Sequence, residues 1–206
     1  YLEPALAGGF YPRLTHEALK QACQASSIFD LPVSVNISPH DLRRPGFIRE
    51  VEQSLQAHPP NTVRLILEIL EHEELEDIAT DDLLALRSLS CMLALDDFGS
   101  GYANFTNLSR LPLDMVKLDG RLVRKLATDP SAQTLVESIC LFCSRCGLTT
   151  VAEQVETPEI LIQLRNLGIQ KTQGYLFSPP LNLLELPPHT LPDTDARCRR
   201  LLLERT

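Results

Sequence analysis

The chain has 206 residues, a formal net charge of −8 at pH 7 and 44% hydrophobic residues. This length allows one large domain with a substantial core, and the acidic balance argues against a protein that binds polymeric nucleic acid through its phosphates. No uninterrupted apolar run approaches the roughly 20 residues of a membrane helix, so we expect no membrane segment in this chain.

Short apolar runs alternate with longer stretches of helical period. The predicted strands are, in chain order, 31–38, 63–70, 91–96, 114–119, 148–153 and 171–177. The predicted helices are 15–27, 47–57, 81–89 with Thr80 as N-cap, 131–146 ended by Gly147, and 158–167 ended by Gly168. Strands separated by helices indicate parallel βα units, because parallel neighbours need crossover connections. The tail 186–206 is rich in proline and then basic, which predicts a linker and a short basic helix.

Polar side chains stand at the carboxyl end of each predicted strand. In chain order they are Asn36, Glu68, Asp96 with Asp97, Lys117 with Asp119, Glu153 and Gln173. In a barrel of parallel strands these ends form the rim on which active sites are built. Carboxylates gathered there would repel one another without cations, and oxygen ligands of this kind suit Mg²⁺ or Mn²⁺. Two such ions could activate a water and stabilise the leaving oxygen of a phosphodiester.

The spacing of these residues gives two further expectations. Lys117 and Asp119 are two residues apart, so they should project from the same face of one strand. Asp96 and Asp97 are consecutive, so both can reach one site only if the strand ends between them. Gly99 and Gly101 follow in "DFGSG", which predicts the tight turn that provides this break.

The six cysteines do not fit a disulfide scaffold in a chain this long, which predicts a reducing, cytoplasmic location, including the cytoplasmic part of a membrane-anchored protein. Cys140, Cys143 and Cys146 have the CxxCxxC spacing of some iron–sulfur sites. They fall on a predicted helix among apolar residues, where cysteine packs as a small hydrophobic side chain. We therefore expect core packing for them.

Several motifs occur in a fixed order: "VSVNIS", "LILEILE", "DDFGSGY" (96–102), "LPLDMVKLDGRLV" (111–123), "TVAEQVET" (150–157) and "TQGYLFSPPL" (172–181). Together they resemble the EAL domain family of cyclic di-GMP phosphodiesterases, and the resemblance covers residues 1–185. It implies an α/β, TIM-barrel-like (βα) fold, of which six of eight strands are expected in this chain. It also implies conversion of cyclic di-GMP to linear pGpG with two divalent ions, Mg²⁺ or Mn²⁺.

The resemblance also implies roles for individual residues. The positions that match metal ligands are Asn36, Glu68, Asp96, Asp97, Asp119 and Glu153. Asp97 would lie between the two ions and act in catalysis with Lys117 and Glu153. Lys117 would contact the attacking water and bind substrate together with Gln173. Glu71 would stabilise the loop after "DDFG".

The triplet Glu17-Ala18-Leu19 is not the family's signature motif. It lies in a stretch of helical spacing, with Leu14, Ala18, Ala22 and Ala25 expected on one face, and only nineteen residues before Asn36. The signature strand and the strand before it are therefore expected upstream of this chain, so phosphodiesterase activity is expected of the parent protein and weak or absent turnover of this chain alone. The family resemblance also makes cyclic di-GMP the expected ligand, with a homodimer and an upstream sensory or GGDEF-type domain as further partners.

One departure from the family pattern affects the expected site directly. Gln154 replaces the glycine of the usual "AEGVE", next to Glu153, and it restricts the backbone there. Two functions therefore stay open for the domain. One is a metal-dependent cyclic di-GMP phosphodiesterase, and the other is a degenerate EAL domain that acts as a non-catalytic cyclic di-GMP receptor or as a protein-interaction module.

Overall fold

The structure is a computed structural model that describes residues 11–70, 75, 79–100 and 105–180, except the side chain of Asn107. The linker and basic helix expected in 186–206 lie outside these residues. The helices are α1 (Tyr11–Phe29), α2 (Pro39–Arg43), α3 (Phe47–Gln56), α4 (Thr80–Ser88), α5 (Phe105–Arg110), α6 (Gly120–Lys125), α7 (Pro130–Cys146) and α8 (Pro158–Asn166). The strands are β1 (Pro32–Ile37), β2 (Arg64–Leu70), β3 (Met92–Phe98), β4 (Met115–Leu118), β5 (Thr149–Ala152) and β6 (Lys171–Thr172).

The chain forms two compact units, one of residues 1–95 and 105–113 and the other of residues 96–104 and 114–206. In the first unit β1 and β2 are parallel, with Asn36 opposite Glu68. In the second unit β5 is parallel to both β4 and β6. This confirms the prediction of parallel βα units.

Helix α1 contains the Glu-Ala-Leu triplet, as the sequence predicted, and Glu17 is exposed there. The face that carries Leu14, Ala18, Ala22 and Ala25 is only partly buried, because Leu14 is 52% exposed and Ala18 is also exposed. The buried residues of the helix are Tyr11, Thr15, Leu19, Ala22, Cys23, Ala25 and Ser26. Polar Thr15 and Ser26 are buried because their hydroxyls donate to main-chain carbonyls, of Tyr11 and of Leu31 respectively.

Several predicted element boundaries need correction. Helix α4 begins at Thr80 and its N-cap is Ala79, so Thr80 is not the cap. The last strand ends at Thr172, well short of the predicted residue 177. Gly174 has φ 154°, and a Cβ there would collide with the backbone of Val155, so the chain turns away from a regular strand. The short helices α2, α5 and α6 were not predicted, since each is too brief to show a hydrophobic period.

Among the described residues no helix is both long and apolar enough to cross a bilayer. Helix α7 buries Cys140 and Cys143, which confirms core packing for two of the three spaced cysteines, whereas Cys146 is exposed. Burial raises the pKa of the Cys140 thiol to about 11 and that of Cys143 to about 12. It likewise raises the pKa of Cys23 to about 11 and that of Cys91 to about 12.

These pKa values predict which thiols react. Only the thiolate is nucleophilic, so thiols with raised pKa stay protonated and inert at neutral pH. In a Cys198→Ser variant, which removes the cysteine outside the described residues, we expect one thiol, that of Cys146, to react rapidly with Ellman's reagent. The other four should react only after denaturation. A Cys146→Ser/Cys198→Ser variant is the control and should show no rapid phase; rapid labelling of several thiols would contradict the packing.

Candidate functional site

The centre of the second unit's polar cluster is Lys117, which lies on the fully buried strand β4 and is 6% exposed. Its Nζ lies 2.9 Å from Asp96 Oδ1 and 2.7 Å from Glu153 Oε1. Asp96 and Glu153 are also buried. A buried ammonium is tolerated only when paired and hydrogen-bonded, so these two carboxylates hold Lys117 in the core and are held by it.

Three carboxylates meet next to this lysine. Ligand atoms of Asp96, Asp97 and Glu153 all lie within 4.8 Å of one another. Asp96 and Asp97 come from β3, and Glu153 follows β5 directly. Glu153 continues the strand pairing, because its N–H donates to the carbonyl of Leu118 at 3.2 Å. The sequence prediction that residues at separate strand ends would converge is thus realised for these three side chains.

Asp97 reaches the group through an unusual backbone conformation. Its φ is 56°, in the left-handed region, although hydrogen bonding continues β3 as far as Phe98. The expectation that the strand ends between Asp96 and Asp97 is therefore wrong, whereas the predicted turn does begin at Gly99, which has φ 89°. The left-handed residue instead interrupts the strict alternation that would place consecutive side chains on opposite faces. Aspartate tolerates this region better than most residues with a Cβ.

Gln173 supports Glu153 from the last strand. Its Nε2 donates to Glu153 Oε1 at 2.7 Å, so the same carboxylate oxygen contacts both the glutamine amide and Lys117. The main chain brings them together, since the N–H of Gln173 donates to the carbonyl of Ala152 at 2.9 Å. Gln173 comes directly after β6, and Gly174 allows the close backbone approach to Val155 that follows.

Asp119 has different partners. Strand β4 ends at Leu118, and Asp119 is the N-cap of α6, accepting from the N–H of Arg121 at 2.5 Å. The Arg121 side chain donates to both of its carboxylate oxygens at 2.8–3.1 Å. Burial would raise the pKa of Asp119, but hydrogen bonds from Arg121 and the charges of Arg121 and Arg124 lower it on balance. Asp119 does not belong to the carboxylate group around Lys117.

Of the remaining predicted residues, two belong to the first unit and one lies outside the described residues. Asn36 and Glu68 belong to the first unit, where they face each other in the β1–β2 register; Asn36 is exposed and Glu68 is 5% exposed. Glu71 lies outside the described residues. Their roles stay predictions. Sequence reasoning missed Arg121, although an aspartate followed by glycine and a helical stretch is a typical N-cap signal that would have indicated Asp119 as a cap.

The carboxylate group suits a hard divalent cation. Oxygen donors are the ligands that Mg²⁺, Mn²⁺ and Ca²⁺ prefer. The three carboxylates lie together beside the ammonium of Lys117, and the charge of Arg121 also acts on Asp97. Three carboxylate oxygens this close to one another are a typical donor set for a hard divalent cation, so the residues present fit a metal ion.

Comparison with known proteins identifies relatives of this chain. The sequence profile of the EAL domain matches residues 4–180. The Cyclic di-GMP phosphodiesterase PdeF of Escherichia coli is 34% identical over 74% of this chain and 21% of its own length. The Cyclic di-GMP phosphodiesterase PdeB of Shewanella oneidensis is 35% identical over 72% of this chain and 18% of its own length. The chain thus spans about a fifth of the length of these relatives.

Solved structures show the same relationship. The manganese and cyclic di-GMP complex of BlrP1 from Klebsiella pneumoniae superposes with a TM-score of 0.73 at 33% identity, over 82% of this chain and 44% of that one. An EAL domain protein from Listeria monocytogenes superposes with a TM-score of 0.79 at 28% identity, over 89% and 75%. These likenesses confirm the expected α/β, TIM-barrel-like fold class. The chain belongs to the EAL domain family.

Proposed function

We propose that this domain hydrolyses cyclic di-GMP to linear pGpG at a site built on Asp96, Asp97 and Glu153, with two divalent cations, Mg²⁺ or Mn²⁺. The observation that carries the proposal is the convergence of three carboxylates beside the ammonium of Lys117. The names of the relatives support the choice of substrate, since PdeF and PdeB are cyclic di-GMP phosphodiesterases.

Each residue of the group has a physical task in this proposal. The carboxylates of Asp96, Asp97 and Glu153 would hold the cations, which supply a nucleophilic water and offset charge on the phosphate when bound. Lys117 presents a fixed ammonium beside Asp96 and Glu153, aimed at negative charge that grows in the transition state. Gln173 restrains Glu153 through their hydrogen bond. Asn36 and Glu68 are proposed as further metal ligands, and Asp119 as another.

The test is turnover by the parent protein, for which the activity is expected. Purified protein is incubated with cyclic di-GMP in Mg²⁺, in Mn²⁺ and in EDTA, and products are separated by chromatography. We expect pGpG in either metal and none in EDTA. Glu153→Gln should lower turnover by about 10²-fold or more, because a buried charge that positions reacting groups is lost. Glu137→Gln, the same change on an exposed face of α7, is the matched control. Metal binding without pGpG would contradict the proposal.

A cyclic di-GMP receptor without turnover is the second candidate, and the contacts of Asp119 favour it. Both oxygens of this carboxylate accept from Arg121, so it is already engaged where the phosphodiesterase proposal needs a metal ligand. Calorimetry with cyclic di-GMP and Ca²⁺, run beside the turnover assay, separates the two functions. Binding together with hydrolysis selects the enzyme, and binding without hydrolysis in any metal selects the receptor.

A further inference from the structure

Gln154 combines a strained backbone with an anchored side chain, directly after Glu153. Its φ is 51°, a left-handed value that costs a residue with a Cβ about 1–2 kcal/mol. The backbone on both sides is fixed, since the N–H of Glu153 donates to Leu118 and the N–H of Val155 donates to the carbonyl of Gln173 at 3.0 Å. Such a conformation persists only where the surroundings over-determine it.

The side chain of Gln154 provides part of that restraint. It is solvent-exposed, yet its Oε1 accepts from Arg124 Nη1, on α6. Its amide also covers Gly120, the first residue of α6, where a Cβ would collide with it. Gln154 thus connects the end of β5 to the start of α6.

This connection joins the two segments that carry the central ion pair. Gly120 follows β4, which holds Lys117, by two residues, and Glu153 precedes Gln154. The Lys117 Nζ to Glu153 Oε1 distance of 2.7 Å depends on how these two segments are held together. Arg124 lies on α6 and donates to Gln154, so it ties the same two segments.

We infer that Gln154 is a positioning residue: through Arg124 and Gly120 it fixes the carboxylate of Glu153 next to Lys117 and so sets the cation affinity of the site. The inference rests on the proposed cation site but does not require hydrolysis. The side-chain amide of Gln154 performs this role. The left-handed backbone of Gln154 affects the turn separately.

A double-mutant cycle in the full chain tests it, with Mn²⁺ affinity measured by calorimetry without nucleotide. Gln154→Met keeps the side-chain length and removes the acceptor, and Arg124→Met removes the donor. We expect each to weaken Mn²⁺ binding about threefold to tenfold, less than the roughly 10–100-fold typical of a direct outer partner of a metal ligand, because Gln154 acts on Glu153 through the backbone. The double variant should be no weaker than the weaker single variant, because both changes break one contact. Arg124→Lys, which keeps a donor, should recover part of the affinity.

Hydrogen exchange gives a readout without metal. Peptides containing Glu153 and Val155 should exchange severalfold faster in Gln154→Met, while peptides from α1 stay unchanged. Gln56→Met is the matched control, because the amide of Gln56 is also exposed and bonded to a side chain, that of Glu52. A purely structural role would lower the thermal midpoint of Gln154→Met and leave Mn²⁺ affinity and local exchange at wild-type values.

The outcomes separate the two proposals. Equal Mn²⁺ affinity in all variants, or losses that add in the double variant, overturns the positioning role and leaves the proposed function intact. Weaker Mn²⁺ binding in the single variants of a protein that makes no pGpG supports the positioning role and contradicts the phosphodiesterase. A wild-type chain that binds no Mn²⁺ overturns both.

Discussion

Lys117→Met is expected to destabilise the metal-free protein by about 3–5 kcal/mol, the cost of leaving buried charges without their partner. The ammonium lies 2.9 Å from Asp96 and 2.7 Å from Glu153, and all three residues are at most 8% exposed. Without it, Asp96, Asp97 and Glu153 remain close together with no contacting cation from β4. Denaturant unfolding in EDTA measures the loss.

Mn²⁺ should reverse much of that loss. A divalent cation in the carboxylate group supplies the positive charge that methionine lacks, and a ligand bound only by the folded state stabilises it. The variant should therefore gain more stability from Mn²⁺ than the wild type does. Turnover should still fall about 10²–10³-fold, because a fixed charge aimed at the phosphate is absent.

The control for this variant is Lys125→Met, which removes the same charge from an exposed position on α6. It should leave both the unfolding free energy and the Mn²⁺ response near wild-type values, since exposed charges contribute little. Equal stability of Lys117→Met and wild type in EDTA would show that Lys117 does not balance the carboxylates.

The site was predictable from sequence as far as strand order determines it. Polar residues that end parallel strands must gather at one edge, so residue order alone was enough to place Asp96, Lys117 and Glu153 together. Their individual contacts could not be predicted, because these depend on where each strand stops. Alternation along β4 suggested that Lys117 and Asp119 share a face, yet the strand ends at Leu118.

The backbone conformation at the site was the other feature that could not be predicted from the sequence. Left-handed residues were expected at glycines, and Gly99 does have φ 89°. The decisive left-handed positions, however, are Asp97 and Gln154, whose conformations follow from tertiary contacts and not from local propensity. The departure at Gln154 was visible in the sequence, but its contact with Arg124 could not be inferred from a single chain position.

Asp97→Asn should separate stability from cation binding. Asparagine adopts the left-handed backbone at least as readily as aspartate, so the turn at φ 56° should survive. Removing one of three mutually repelling carboxylates should keep the metal-free unfolding free energy or raise it by up to about 1 kcal/mol. Mn²⁺ affinity should fall at least about 100-fold, because even outer partners of metal ligands account for about 10–100-fold.

The opposite signs of these two effects are the distinctive result. Replacing a residue that serves the fold lowers both the unfolding free energy of the protein and its Mn²⁺ affinity. Replacing a metal ligand in a crowded carboxylate group lowers the Mn²⁺ affinity but leaves the metal-free protein as stable or more stable. Denaturant unfolding in EDTA and Mn²⁺ calorimetry on the same preparation measure both, with Glu137→Gln as the control for loss of one negative charge. If Asp97→Asn unfolds more easily and binds Mn²⁺ as wild type does, Asp97 serves the turn and does not hold a cation.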